Sequence, residues 1–115
     1  MDMENKVRQI RELVEAKREK FARVSDEVWA VPELYFHETK SAAILIKALK
    51  EEGFEVQEGV DGIPTAFIGT WGSGKPVIGI LGEFDALPSL SQEAGCWEHK
   101  EIVKGGPGHG CGHNA

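Results

Sequence analysis

Cys111 and His113 stand one residue apart in the run GGPGHGCGHNA, residues 105 to 115, with His109 just ahead of them. A thiolate and an imidazole are both good ligands for first-row transition metals, and flanking glycines let the backbone turn both side chains toward one ion. Alone, the Cys-x-His pair fits equally a glycine-rich loop with a free thiol and a surface histidine. Glu83 and Asp85, in GEFDALP at residues 82 to 88, add a pair at i and i+2 where an apolar run ends. If a strand continues to Asp85, both carboxylates point to one face at the end of a sheet, a common place for ligand sites in α/β folds. Strand ends are also often acidic because they are solvated. The acidic strand end and the Cys-x-His loop together favour a metal site over either bland reading.

Other reactive residues fit plainer roles. His109, among glycines, is expected to shape the loop or support a ligand rather than bind metal itself. His37 follows PELYF and suits an interhelix or capping role, and His99 in CWEHKE suits a solvated loop. Cys96 beside Trp97 reads as a packed thiol, and the three tryptophans as packing residues. The segment GTWGSGK at residues 69 to 75 has the glycines and lysine of a phosphate-binding loop. Pro76 stands where that motif needs a Ser or Thr, and VIGILG then reads as strand where it needs a helix N-terminus, so a hairpin turn is the better reading.

Helices and strands must position these groups. Val7, Ile10, Val14, Phe21, Val24 and Val28 recur at helical spacing, which predicts one long helix over residues 3 to 31, ended by Pro32. A second helix is predicted over Glu38 to Glu52, with Ala42, Leu45, Ile46 and Leu49 as its apolar face and Gly53 as its stop. After Gly53 the period changes. FEVQEGV alternates as a half-buried strand, while TAFIGTW and PVIGILGEFD are continuously apolar, as in strands covered on both faces. The order predicts an α/β fold with helices packed on a mixed sheet. Beyond Leu87 the pattern fades into a long loop, and loops of that length are usually functional or disordered.

The 115 residues carry a net charge of -6, with 41% hydrophobic and 28% charged residues, the balance of one globular domain. An acidic chain without a basic face argues against nucleic acid as the main partner. No apolar run approaches the roughly 20 residues needed to span a bilayer, and the charged start MDMENKVRQIRE is unlike a signal peptide, so no membrane partner and a cytoplasmic location are expected. Two cysteines are too few for a disulfide framework.

In this order and at these separations, VPELYFHETKSAAILIKAL, GEFDALP and GHGCGHN resemble the N-terminal part of the M20 metallopeptidase and amidohydrolase family. The stretch GIPTAFIGTWGSGKPVIGILGEFDALPSLSQEAGC is most similar to its aminobenzoyl-glutamate hydrolase B-subunit-like amidohydrolases. The resemblance implies the N-terminal portion, residues 1–115, of a zinc-peptidase-like catalytic domain, with the rest of that domain and a dimerisation domain elsewhere. It implies hydrolysis of an amide bond to an amino acid such as glutamate, in aminobenzoyl-glutamate-like or dipeptide-like substrates. It further implies two divalent ions, Zn or Mn, per complete subunit, and a homodimer.

By position the resemblance makes Cys111 and His113 metal ligands. It gives Asp85 the catalytic role of an aspartate that orients a ligand or its metal. Glu83 occupies the place of a family histidine, so the resemblance leaves its ligation open, and Asn114 stands where many amidohydrolases have Asp. The family's general base and remaining ligands are expected downstream of Ala115, so this stretch alone is expected to be inactive and to expose apolar surface. The competing expectation is a small metal-binding or interaction module, or a subunit completed by another chain. A thiol redox protein is the weakest reading, because Cys96 and Cys111 are not spaced as C-x-x-C.

Overall fold

The computed structural model describes residues 2–115. Where apolar spacing predicts one helix over residues 3 to 31, the chain makes two, α1 (Met3–Glu15) and α2 (Arg18–Trp29). Neither Gly nor Pro separates them; Lys17 leaves helical geometry at φ -107° and ψ 0°. The difference lies in tertiary contacts. Lys17 and Lys20 reach Glu52, and Lys20 also reaches Glu51, tying α2 to the C-terminal end of α3 (Thr39–Glu51). No residue of α1 is buried, so no packing holds it in line with α2. Helix α2 stops short of Pro32, as the restriction before proline requires.

Helix α3 runs within the predicted bounds and ends by a Schellman arrangement. Gly53, at φ 86°, donates its N–H to the Lys50 carbonyl, and Phe54 donates to the Leu49 carbonyl. Its N-terminus is capped from a distance. The Glu33 carboxylate accepts hydrogen bonds from the backbone N–H groups of Lys40 (3.1 Å) and Ser41 (2.8 Å) and from the hydroxyls of Ser41 and Thr39. His37, expected as a possible cap, is exposed and takes no such part.

Burial acts to raise the Glu33 pKa, but the hydrogen bonds from Ser41, Lys40 and Thr39 outweigh it and hold the carboxyl below its ordinary value. The folded state therefore favours the ionised form. Its stabilising contribution is complete above the unfolded carboxylate value and is lost as pH falls through the lowered folded value. Glu33→Ala is expected to cost about 2 kcal/mol in urea denaturation at neutral pH, and its deficit against wild type should shrink as the medium is acidified.

Strands β1 (Glu55–Glu58) and β2 (Phe67–Thr70) pair antiparallel, with Val56 opposite Gly69. Phe67 and Gly69 point inward, and a Cβ at Gly69 would lie 3.0 Å from Leu49 Cδ1, so Leu49 and Phe54 pack close over the backbone there. Helices lie against a sheet, as an α/β fold requires. That sheet is antiparallel rather than mixed, and among the described residues parallel pairing is confined to an isolated bridge between Leu34 and Ala86. The core is small: Val28 and Ala86 are fully enclosed, with Ala42 and Ala48 close behind.

The segment from Pro76 to Asp85 corrects the expectation of a third sheet strand joined to β2 by a hairpin. It pairs with neither strand, and Val77, Ile78, Ile80 and Leu81 are 81–94% exposed. A strand apolar on both faces is stable in a sheet only when both faces are covered; here Phe84 alone packs on β2, its ring 5.5 Å from that of Phe67, and no described element lies over Val77 to Leu81. Trp71 and Trp97 are exposed as well, so of the three tryptophans only the half-buried Trp29 packs as expected.

Candidate metal centre

The elements meet at Ala86. Its N–H donates to the Glu33 carbonyl at 2.7 Å, so the residue whose side chain caps α3 also anchors the end of the acidic segment. One residue later, Leu87 and Gly108 exchange two backbone hydrogen bonds of 3.0 Å each. Ser91 N–H then donates to the Gly106 carbonyl, and the Val103 N–H donates to Ser91 Oγ. The intervening loop thus folds back and lays GGPGHGCGH alongside residues 87 to 91.

That contact brings Gly108 and Gly110 against Leu90. A Cβ on Gly108 would lie 1.9 Å from the Leu90 carbonyl oxygen, and one on Gly110 would lie 2.5 Å from Leu90 Cδ1. At Gly108 the obstacle is backbone, so the approach there needs a residue with no side chain, whereas at Gly110 the Leu90 side chain could turn aside. Gly108 thus serves close packing, while Gly105 and Gly112, at φ 67° and 81° with open space around them, serve the turns.

His113 is carried to the acidic segment by this pairing. Its Nδ1 lies 3.0 Å from Asp85 Oδ1 and 3.2 Å from the Asp85 carbonyl oxygen, both of which only accept hydrogen bonds. The proton of a neutral ring therefore belongs on Nδ1, and Nε2 keeps its lone pair. Nε2 faces Glu83 Oε2 at 3.4 Å. Among the described residues, Glu83, Asp85 and His113 form the one group of potential ligands whose donor atoms lie within 4.8 Å of one another.

Cys111 is exposed and stands outside that group. Asn114 turns away from it, its Nδ2 donating to Ser25 Oγ at 3.0 Å and reaching the Ser25 carbonyl at 3.4 Å on α2. His109 is tucked beside α2 with neither ring nitrogen in hydrogen-bond geometry. Burial pushes its pKa below the ordinary histidine value; a backbone contact at Val28 opposes this, nearby His113 adds to it, and Asp85 opposes it. Cys96 is half-buried, and neither His37 nor His99 joins the cluster. Sequence reasoning missed Ser25 and Glu33. Ser25 carries no local signal at all, whereas the carboxylate of Glu33 six residues before α3 could have been weighed as a cap.

The donor set fits a divalent ion. Ligand bonds of 2.0–2.2 Å in tetrahedral geometry place two donors about 3.3 Å apart, close to the observed 3.4 Å between His113 Nε2 and Glu83 Oε2. A carboxylate on the far nitrogen of a ligating histidine is the usual device for fixing its tautomer and orientation.

Known proteins resemble this sequence. The chain is 46% identical over 112 residues to the B subunit of p-aminobenzoyl-glutamate hydrolase from Escherichia coli (strain K12), covering 97% of this chain and 23% of that protein. It is 33% identical over 114 residues to thermostable carboxypeptidase 1 of Saccharolobus solfataricus, covering 97% of this chain and 26% of the relative. Thermostable carboxypeptidase 2 of the same organism is 38% identical over 85 residues, or 72% of this chain and 21% of the relative. The chain thus spans about a quarter of the length of these curated relatives. No family model matches it.

Proposed function

We infer that this chain, a relative of amidohydrolases and carboxypeptidases over most of its length, supplies part of the metal centre of an M20-type amidohydrolase. The reaction is hydrolysis of an amide bond to an amino acid such as glutamate, in an aminobenzoyl-glutamate-like or dipeptide-like substrate. The observation that carries this reading is the arrangement of His113 between Asp85 and Glu83. The names of the relatives supply the substrate class.

His113 Nε2 and Glu83 would hold a divalent ion, Zn or Mn; the Cys111 thiolate, which lies outside that cluster, is proposed as a ligand on the sequence resemblance alone, and two ions are proposed in the complete subunit. When bound, such an ion polarises the scissile carbonyl and lowers the pKa of water toward about 7. Asp85 acts through His113. By accepting the Nδ1 proton it fixes the ring's orientation and presents Nε2 as a lone-pair donor. Glu83, on the exposed side, brings the negative charge that a cation requires. The complete protein acts as a cytoplasmic homodimer.

The test is release of free glutamate from p-aminobenzoyl-glutamate and from a panel of glutamyl dipeptides by the native gene product. Turnover of at least one of these amides is expected. No hydrolysis of any of them, with Zn or Mn supplied, contradicts the reading.

A further inference from the structure

We propose that Ser25 is a positioning residue for the metal centre, holding His113 in register through Asn114. The inference rests on the reading of His113 as a metal ligand. No sequence motif marks Ser25. It sits in the middle of α2, 89 positions before Asn114 in the chain, yet its hydroxyl and its carbonyl both face the Asn114 amide, at 3.0 and 3.4 Å.

The geometry makes this contact more than incidental packing. Ser25 and Val28 lie at i and i+3, on one face of α2. Val28 is fully enclosed, while Ser25 holds Asn114. The ligand loop is therefore tied to the buried face of α2 immediately after His113. A tight turn, in which Ala115 N–H donates to the Gly112 carbonyl at 3.0 Å, spans His113 and Asn114. Anchoring Asn114 thus fixes the backbone from which the His113 ring reaches Asp85. With the Asp85 contact alone, the ring has an orientation; with the α2 contact it also has a fixed base.

Hydrogen-bond chemistry assigns the roles. Asn114 Nδ2 carries two N–H donors, and Ser25 offers two acceptors. An aspartate at position 114 has no donor for the Ser25 carbonyl and would set a carboxylate against it. Alanine at position 25 removes the hydroxyl yet is a better helix former than serine. Loss of this contact should therefore weaken metal binding without weakening the metal-free fold, a combination that a merely structural role does not give.

The experiment is Co2+ titration of the native gene product and its variants, followed by the visible absorption of the bound ion, with urea denaturation of each metal-free protein. Ser25→Ala is expected to bind Co2+ about tenfold more weakly, with an altered absorption band and unchanged or increased metal-free stability. Ser25→Thr, which keeps the hydroxyl, should recover most of the affinity. Asn114→Asp should match Ser25→Ala, and the double variant should be little worse than either single one. Equal Co2+ affinity and spectra in wild type, Ser25→Ala and Asn114→Asp overturn the role of Ser25 while leaving the metal centre standing. A wild-type protein that takes up no Co2+ overturns the metal centre itself, and this inference with it.

Discussion

Gly108→Ala is expected to detach the ligand loop and to cost about 2–4 kcal/mol of stability. The added methyl would lie 1.9 Å from the Leu90 carbonyl oxygen and 2.4 Å from its carbon, both backbone atoms that no rotamer change can move away. Relief requires the two segments to part. That breaks the paired 3.0 Å hydrogen bonds between Leu87 and Gly108 and loosens the Ser91 to Gly106 bond beside them. The same movement withdraws His113 from Asp85, so metal binding should fail together with stability. Gly82→Ala is the matched control, since a Cβ there meets nothing within 4 Å, and it should stay within about 0.5 kcal/mol of wild type. Urea denaturation of the two variants, read beside Zn titration, separates the outcomes. A Gly108→Ala protein as stable as Gly82→Ala would show that the loop does not lie against Leu90.

His113→Ala should abolish high-affinity metal binding, and Asp85→Asn should weaken it about 10- to 100-fold. The two substitutions act differently. The first removes the donor nitrogen that faces Glu83 across 3.4 Å. The second keeps an oxygen able to accept from Nδ1 but removes the charge that makes the ring a better donor, and its amide can turn an N–H toward the ring instead. Competition against a chromophoric zinc chelator measures both. Asp85→Asn binding as tightly as wild type would mean that Asp85 does not orient the ligand.

Local signals in the sequence carried part of this structure. Helix α3 and its glycine stop, the alternation of β1, and the stop before Pro32 each depend on neighbouring residues, and they appear close to where spacing places them. Glu83 and Asp85 at i and i+2, with His113 in a glycine loop, were also visible as candidates, and the fold brings their donor atoms together. What the sequence hid depends on contacts between distant residues. The break at Lys17 has no local breaker and accompanies ion pairs to Glu51 and Glu52. Val77 to Leu81 has the composition of a sheet strand, but a strand also needs a partner and cover, which composition cannot report. The glycines at 108 and 110 read as flexibility until Leu90 is seen against them. Ser25 looked like any other helix serine, because its partner lies 89 positions away.

The most direct test is to purify the native gene product without added metal, count its bound ions by elemental mass spectrometry, and assay hydrolysis of p-aminobenzoyl-glutamate before and after chelation. The expected result is close to two divalent ions per subunit, with hydrolysis lost on chelation and restored by Zn or Mn. Undiminished hydrolysis by a demonstrably metal-free protein would contradict a metal-dependent amidohydrolase centred on His113.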